Sequence, residues 1–168
     1  YPLELPSDDD ADLTRVAGRA ERALGQVTEL SGRILDLNGR PLREMRIEIW
    51  QCDFRGRYHH PRDRGPAPDP NFQGHGSTQT DAAGGYRFRT IRPVSYPGRT
   101  PHIHVAVFPP GQRPFTTQLY VAGEQQAPLP SHAFEGLEVL VHRARDRDAE
   151  RQRLGRPALL IELDPLRD

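Results

Sequence analysis

The chain has 168 residues, 35% of them apolar, with 17 prolines, 15 glycines and 23 basic side chains balanced by 23 acidic ones. That length fits one domain with a true core, and the wealth of turn residues favours extended strands over long helices. With zero net charge nothing calls for nucleic acid or an anionic membrane, so a small neutral or anionic ligand fits better, and no apolar run approaches the roughly 18 residues of a membrane span.

Residues 1–26 read as an N-terminal arm. Ser7 and the three aspartates after it could cap a short helix carrying Leu13, Val16, Ala20 and Leu24 on one side; Gly18 and Gly25 weaken that helix and leave an extended wrap over the domain as the alternative. The chain begins at Tyr1 rather than Met, which implies that an N-terminal piece has been removed. A cytoplasmic location is favoured, with secretion left open. Residues 27–168 read as one β-sandwich domain.

Residues 27–35 have strand character and lead into Asp36-Leu37-Asn38-Gly39, where Asn-Gly is a strong hairpin signal. Residues 45–52 answer as a second strand, with Ile47 and Ile49 on one face and Arg46, Glu48 and Trp50 on the other, so a first hairpin is expected. Cys52, the only cysteine, excludes an intrachain disulfide and reads as a half-buried small hydrophobe. Trp50 and Phe88 read as core residues. Residues 53–76 form a long irregular loop, and because Tyr58, His59 and His60 lie in it a functional role is expected. Asp81 belongs to a tight turn between short strands at residues 77–80 and 86–90. Strands at 102–108 and 116–121, joined by a Pro-Pro-Gly turn, follow. Residues 137–154 predict an exposed helix and residues 157–163 an apolar strand. The expected fold is therefore mostly β, an antiparallel β-sandwich with long loops and a short C-terminal helix.

Chemistry concentrates in His102-Ile103-His104. Residues i and i+2 of a strand share a face, so two imidazoles spaced this way can reach one ion without backbone distortion. Alone, such a pair is more often a surface or core feature. Its surroundings add weight: Arg99-Thr100-Pro101 imposes an extended entry into the strand, and Tyr96-Pro97-Gly98 reads as a turn able to swing a phenol over the same face. With Tyr58 from the long loop, two neutral nitrogens and two phenol oxygens make a hard donor set that suits trivalent iron better than zinc. His59, His60, His75, His132 and His142 receive no metal role; His59 and His60, beside Tyr58, read by default as exposed loop histidines, with the cleft mouth as the alternative.

The ordered set Ser31-Gly32-Arg33-Ile34, Glu48-Ile49-Trp50-Gln51-Cys52-Asp53, Gly56-Arg57-Tyr58, Asp69-Pro70-Asn71-Phe72, Tyr86-Arg87-Phe88-Arg89-Thr90-Ile91, Tyr96-Pro97, Arg99-Thr100-Pro101-His102-Ile103-His104 and Thr117-Gln118-Leu119-Tyr120 resembles the intradiol ring-cleavage dioxygenases. These non-haem ferric enzymes include catechol, hydroxyquinol and protocatechuate dioxygenases. The resemblance implies one Fe(III) per chain, held by Tyr58, Tyr96, His102 and His104. Tyr96 would be the ligand that leaves on substrate binding and Tyr58 the one that stays. It implies that Arg99 lies against the substrate ring, with Gln118 beside it. The substrates it implies are a small aromatic ortho-diol and O2, cleaved to a muconate-type diacid. A phenol with a reference value near 10 ionises at neutral pH only beside a strong positive charge, which ferric ion supplies. Larger catechol dioxygenases carry a helical N-terminal region for which this chain has no counterpart. Its size is closer to a protocatechuate dioxygenase subunit, so a second, non-catalytic chain, self-association and a lone chain all stay open. The competing reading is a metal-free binding module on the same scaffold. A cupin-type oxygenase lacks its downstream acid and third histidine here.

Overall fold

The computed structural model describes residues 8–36, 38–60, 63, 65–121 and 159–163. Seven strands, β1 (Val27–Asp36), β2 (Arg46–Trp50), β3 (His75–Gln79), β4 (Gly85–Ile91), β5 (His102–Phe108), β6 (Phe115–Tyr120) and β7 (Leu159–Leu163), form two antiparallel sheets ordered β4-β1-β7 and β3-β2-β5-β6. Among the described residues there is no helix, and none long and apolar enough to cross a membrane. The expected C-terminal helix lies outside the described residues.

Each sheet turns one face inward. From the first sheet come Leu30, Ile34, Tyr86 and Phe88; from the second come Ile47, Ile49, Ile103, Val105, Val107 and Leu119, all in one apolar cluster. Cross-strand partners such as Ile49 with Val105 and Ile103 with Leu119 put β-branched and aliphatic side chains opposite one another, the pairing a pleated half-buried surface favours. Phe88 sits in this core as expected, and Asp81 does close its turn, its Oδ1 accepting from the amides of Ala83 and Gly85 at 2.8 Å.

The expected hairpin between the first two strands does not form: β1 pairs with β4 and β7, and β2 with β3 and β5. The Asn38-Gly39 turn itself is real. Asp36 Oδ1 accepts from the amides of Asn38 and Arg40, and the Arg40 carbonyl accepts from Asp36 N at 2.8 Å. Pairing continues only to a single bridge between Leu35 and Pro41. Pro41 has no N–H to extend a ladder, and Glu44 at φ 57° redirects the chain into the other sheet.

The helix considered for the arm is also absent: turns and bends run through residues 8–26, and Leu24 is 53% exposed where a helical stripe would bury it. The arm is an extended wrap. Leu13 is fully buried in the core, its amide donates to the Arg89 carbonyl at 2.8 Å, and its carbonyl accepts from Gln73 N at 3.0 Å. Asp10 O accepts from Ser77 N at 3.0 Å, so the arm binds the otherwise open edges of β4 and β3 at once and blunts both. Arg46 bonds Asp9 at 3.0 Å and Glu48 at 2.8 Å, while His75 lies 3.3 Å from Asp9 and 3.4 Å from Glu48. Leu13→Ala is expected to destabilise the fold by about 2–5 kcal/mol in urea unfolding. A loss well under about 1 kcal/mol would show that the arm is no part of the cooperative core.

Candidate metal centre

Residues of β5 that alternate with the core positions point away from the sandwich. His102 and His104 share that outer face, their ring centroids 4.8 Å apart, with Tyr120 and Gln118 as their partners on β6 and Trp50 as the partner of His104 on β2. His102 is 1% exposed, and its Nδ1 lies 2.6 Å from the Thr100 carbonyl. A carbonyl only accepts, so Nδ1 carries the proton and Nε2 of the neutral ring keeps its lone pair. That nitrogen is 3.5 Å from the Tyr58 hydroxyl. His104 stacks on Trp50 with centroids 4.9 Å apart and planes at 0°. Trp50 is buried as expected, but on the site face and outside the apolar cluster between the sheets. The reason is its parity with Glu48 and Arg46 on β2, opposite to Ile47 and Ile49.

The two tyrosines come from loops. Asp53, buried after β2, organises the first: its Oδ1 accepts from the amides of Arg55 and Arg57 at 2.8 and 2.9 Å, and its Oδ2 accepts from Asp69 N at 2.8 Å. Asp63 continues the frame by accepting from Tyr58 N at 3.0 Å and pairing with Arg57. Tyr96 opens a tight turn closed by reciprocal backbone bonds with Arg99; Pro97 and Gly98, at φ 78°, fill its centre as a type II turn requires. The loops meet at Gly56, at φ 77°, where an added Cβ would stand 2.7 Å from Tyr96 Cβ. The Tyr58 ring lies 5.8 Å from that of Tyr96 and 6.4 Å from His104, and Tyr96 lies 5.8 Å from His102.

Electrostatics at these rings point one way. Burial first, then the neighbouring Tyr96, push the Tyr58 phenol far above its ordinary range. Burial holds His104 down to about 3, with the His102 and Arg99 neighbours adding to it, and lowers His102 as well. The rings thus offer two lone-pair nitrogens, the Tyr58 phenol, which ionises only beside a cation, and the Tyr96 phenol next to it. Among the described residues, no cluster of three or more His, Cys, Asp or Glu side chains could hold a metal. The donor set fits a hard, highly charged ion, trivalent iron above zinc.

All six residues singled out from sequence come together. Arg99 Nη2 lies 3.3 Å from His102 Nε2 and donates to Gln118 Oε1 at 2.6 Å. His75 is buried elsewhere, between Asp9 and Glu48; His132 and His142 lie outside the described residues. Cys52 is 1% exposed and not half-buried, and burial raises its thiol to about 11. Sequence reasoning overlooked the roles of Trp50, Asp53 and Tyr120. For Asp53 a local signal existed, since Asp two and four residues before backbone amides is the pattern of an Asx turn.

The sequence model of a family described as dioxygenase matches residues 4–153. The chain is 43% identical over 125 residues to a protocatechuate 3,4-dioxygenase beta chain of Burkholderia cepacia, covering 68% of this chain and 53% of the relative. It is 33% identical to a hydroxyquinol 1,2-dioxygenase of Corynebacterium glutamicum over 75% of this chain and 46% of the relative. Among solved structures, the dioxygenase domain of a dioxygenase carbohydrate-binding fusion from Streptomyces sp. SirexAA-E aligns with TM-score 0.58 at 32% identity, over 74% of this chain and 70% of that one. The chain spans about half the length of the curated relatives it matches.

Two outcomes test this geometry without metal. The fold holds His104 at about 3 against an ordinary 6.5, so the unfolded chain takes up the proton first and stability must fall as pH drops below 6.5. Thermal melts of the metal-free protein should decline from pH 6.5 to about 5, above the main carboxylate range, and His104→Gln should flatten that decline. Gly56→Ala forces a positive φ on a side chain and crowds Tyr96. It should cost more than about 1 kcal/mol in denaturant unfolding; a neutral result would mean that the two loops are not in contact.

Proposed function

Because the chain belongs to the intradiol ring-cleavage dioxygenase family, we propose that it uses O2 to cleave a small aromatic ortho-diol between its two hydroxyl carbons, with one Fe(III) per chain held by Tyr58, Tyr96, His102 and His104. What supports the reading is the convergence of four donors, with the Tyr58 hydroxyl 3.5 Å from the lone-pair nitrogen of His102. The metal-free binding module finds no support in a site that keeps all four.

Ferric ion, when bound, would supply the charge that ionises both phenols and a Lewis acid for the two diol oxygens. The residues do the rest. Tyr96 sits on a turn whose next three residues are exposed, so its side chain is the mobile donor, and its Oη is the base assigned to one diol proton. Tyr58 stays in place because Asp53 and Asp63 tie its loop from both sides. His102 keeps its Nε2 directed at the site through the Nδ1 bond to Thr100. Arg99 would face the bound ring and offset the negative charge that moves onto its carbons. The names of the relatives support protocatechuate, hydroxyquinol and catechol as the first substrates to try. The beta-chain relative supports association with another chain.

Iron-reconstituted protein is expected to be wine-red from tyrosinate-to-ferric charge transfer, with the fluorescence of Trp50, the only tryptophan, quenched by metal beside its stacking partner. Tyr58→Phe and Tyr96→Phe should each alter the band and lower oxygen uptake roughly a hundredfold or more. Oxygen uptake across catechol, hydroxyquinol, protocatechuate and substituted catechols identifies the ring. Protein that stays colourless after iron loading would sink the reading.

A further inference from the structure

We propose that Tyr120 is a positioning residue that fixes Arg99 through the side-chain amide of Gln118. The geometry stands by itself; the catalytic consequence rests on the ring-cleavage reading above. Gln118 and Tyr120 lie two apart on β6, so both emerge on the outer face, Gln118 opposite His104 and Tyr120 opposite His102. Gln118 Oε1 accepts from Tyr120 Oη at 2.9 Å and from Arg99 Nη2 at 2.6 Å. A guanidinium has donors only, so the oxygen end of the amide must face it. Two donors on one oxygen hold the amide in that sense.

The arrangement has a built-in weakness that Tyr120 removes. An amide rotated by half a turn would present its NH2 to Arg99, donor against donor, and the guanidinium would lose its anchor. Arg99 leaves an exposed turn on a long side chain, and of its two side-chain partners among the described residues Gln118 is the closer and His102 the more distant. Its Nη2 also lies 3.3 Å from His102 Nε2, so a shift of the guanidinium changes what stands beside a candidate metal ligand. Tyr120 is 4% exposed with its ring 5.9 Å from that of His102. Tyr120→Phe therefore keeps the packing and removes only the hydroxyl.

The first measurement needs no metal. In 15N NMR of the metal-free protein, the Arg99 guanidinium signals, assigned by their loss in Arg99→Lys, should show restricted rotation in the parent and free rotation in Tyr120→Phe. Gln118→Glu has an acceptor oxygen whichever way it turns, so on that background Tyr120→Phe should no longer release Arg99; the single Gln118→Glu variant, with Arg99 ordered, keeps the test readable if Tyr120→Phe folds poorly. In iron-loaded protein, Tyr120→Phe should leave the charge-transfer band in place, since all four donors remain, and lower kcat about tenfold with KM little changed, the weight of one hydrogen bond felt in the transition state. Unchanged Arg99 rotation in Tyr120→Phe, or an equal loss on the Gln118→Glu background, would overturn the proposal. Failure of the parent to take up iron with colour would instead sink the ring-cleavage reading, while the metal-free NMR comparison still decides the role of Tyr120.

Discussion

The two-residue repeat of β5 is the constraint on which the rest of the molecule depends. Ile103, Val105 and Val107 are committed to the core, so His102 and His104 have nowhere to go but the outer face. A slip of one residue would exchange the two sets, burying imidazoles against Ile49 and exposing the aliphatic row. The apolar core thus works as the device that aims the two imidazoles. Its pairing partners extend the same parity to Trp50, Gln118 and Tyr120 on the flanking strands.

The phenols obey a different logic. Neither comes from a strand, so neither inherits its direction from a ladder. Tyr58 is framed by carboxylates, Asp53 collecting the amides of its loop and Asp63 the amide of Tyr58 itself. Tyr96 depends on a four-residue turn with its next residues in solvent. Strand-borne donors take their direction from the ladder; among the described residues the Tyr96 turn is closed by backbone bonds with Arg99, whereas the Tyr58 loop is tied by two side-chain carboxylates as well. That asymmetry is what the proposed roles, one ligand that departs and one that stays, would require.

Legibility in the sequence followed the range of the interaction that decides each feature. The outer-face pair on β5 was readable because alternation is local, and the Pro97-Gly98 turn because its residue types are those the backbone conformation demands. The β1 partner was misread for the same reason in reverse: Asn38-Gly39 does make its turn, but whether strands pair beyond it is decided by Pro41, Glu44 and the competing edge of β4. Trp50 is buried as an aromatic residue ordinarily is, and its alternation with Ile47 and Ile49 already assigned that burial to the other face. The arm was ambiguous since contacts with residues sixty or more positions away anchor it: the Leu13 amide on the Arg89 carbonyl, and Gln73 on Asp10 and Asp12.

The outer face also explains why the proposed donor set stays free of carboxylates. Glu48, His75 and Asp9 sit on that same face, close enough to one another to make a polar cluster with Arg46. Trp50 stands between: on β2 it is the partner of His75 on one side and of His104 on the other. Its indole stacks on His104, so an apolar ring lies on the strand position between the acidic groups and the two imidazoles. Glu48 is drawn towards Arg46 and His75, and Asp9 pairs with Arg46, within the cluster that holds the arm. Separating the two clusters by one large ring leaves the site with two imidazoles and two phenols. A carboxylate ligand there would weaken the preference for phenolate, because it would offset the cation's charge without needing that charge to ionise.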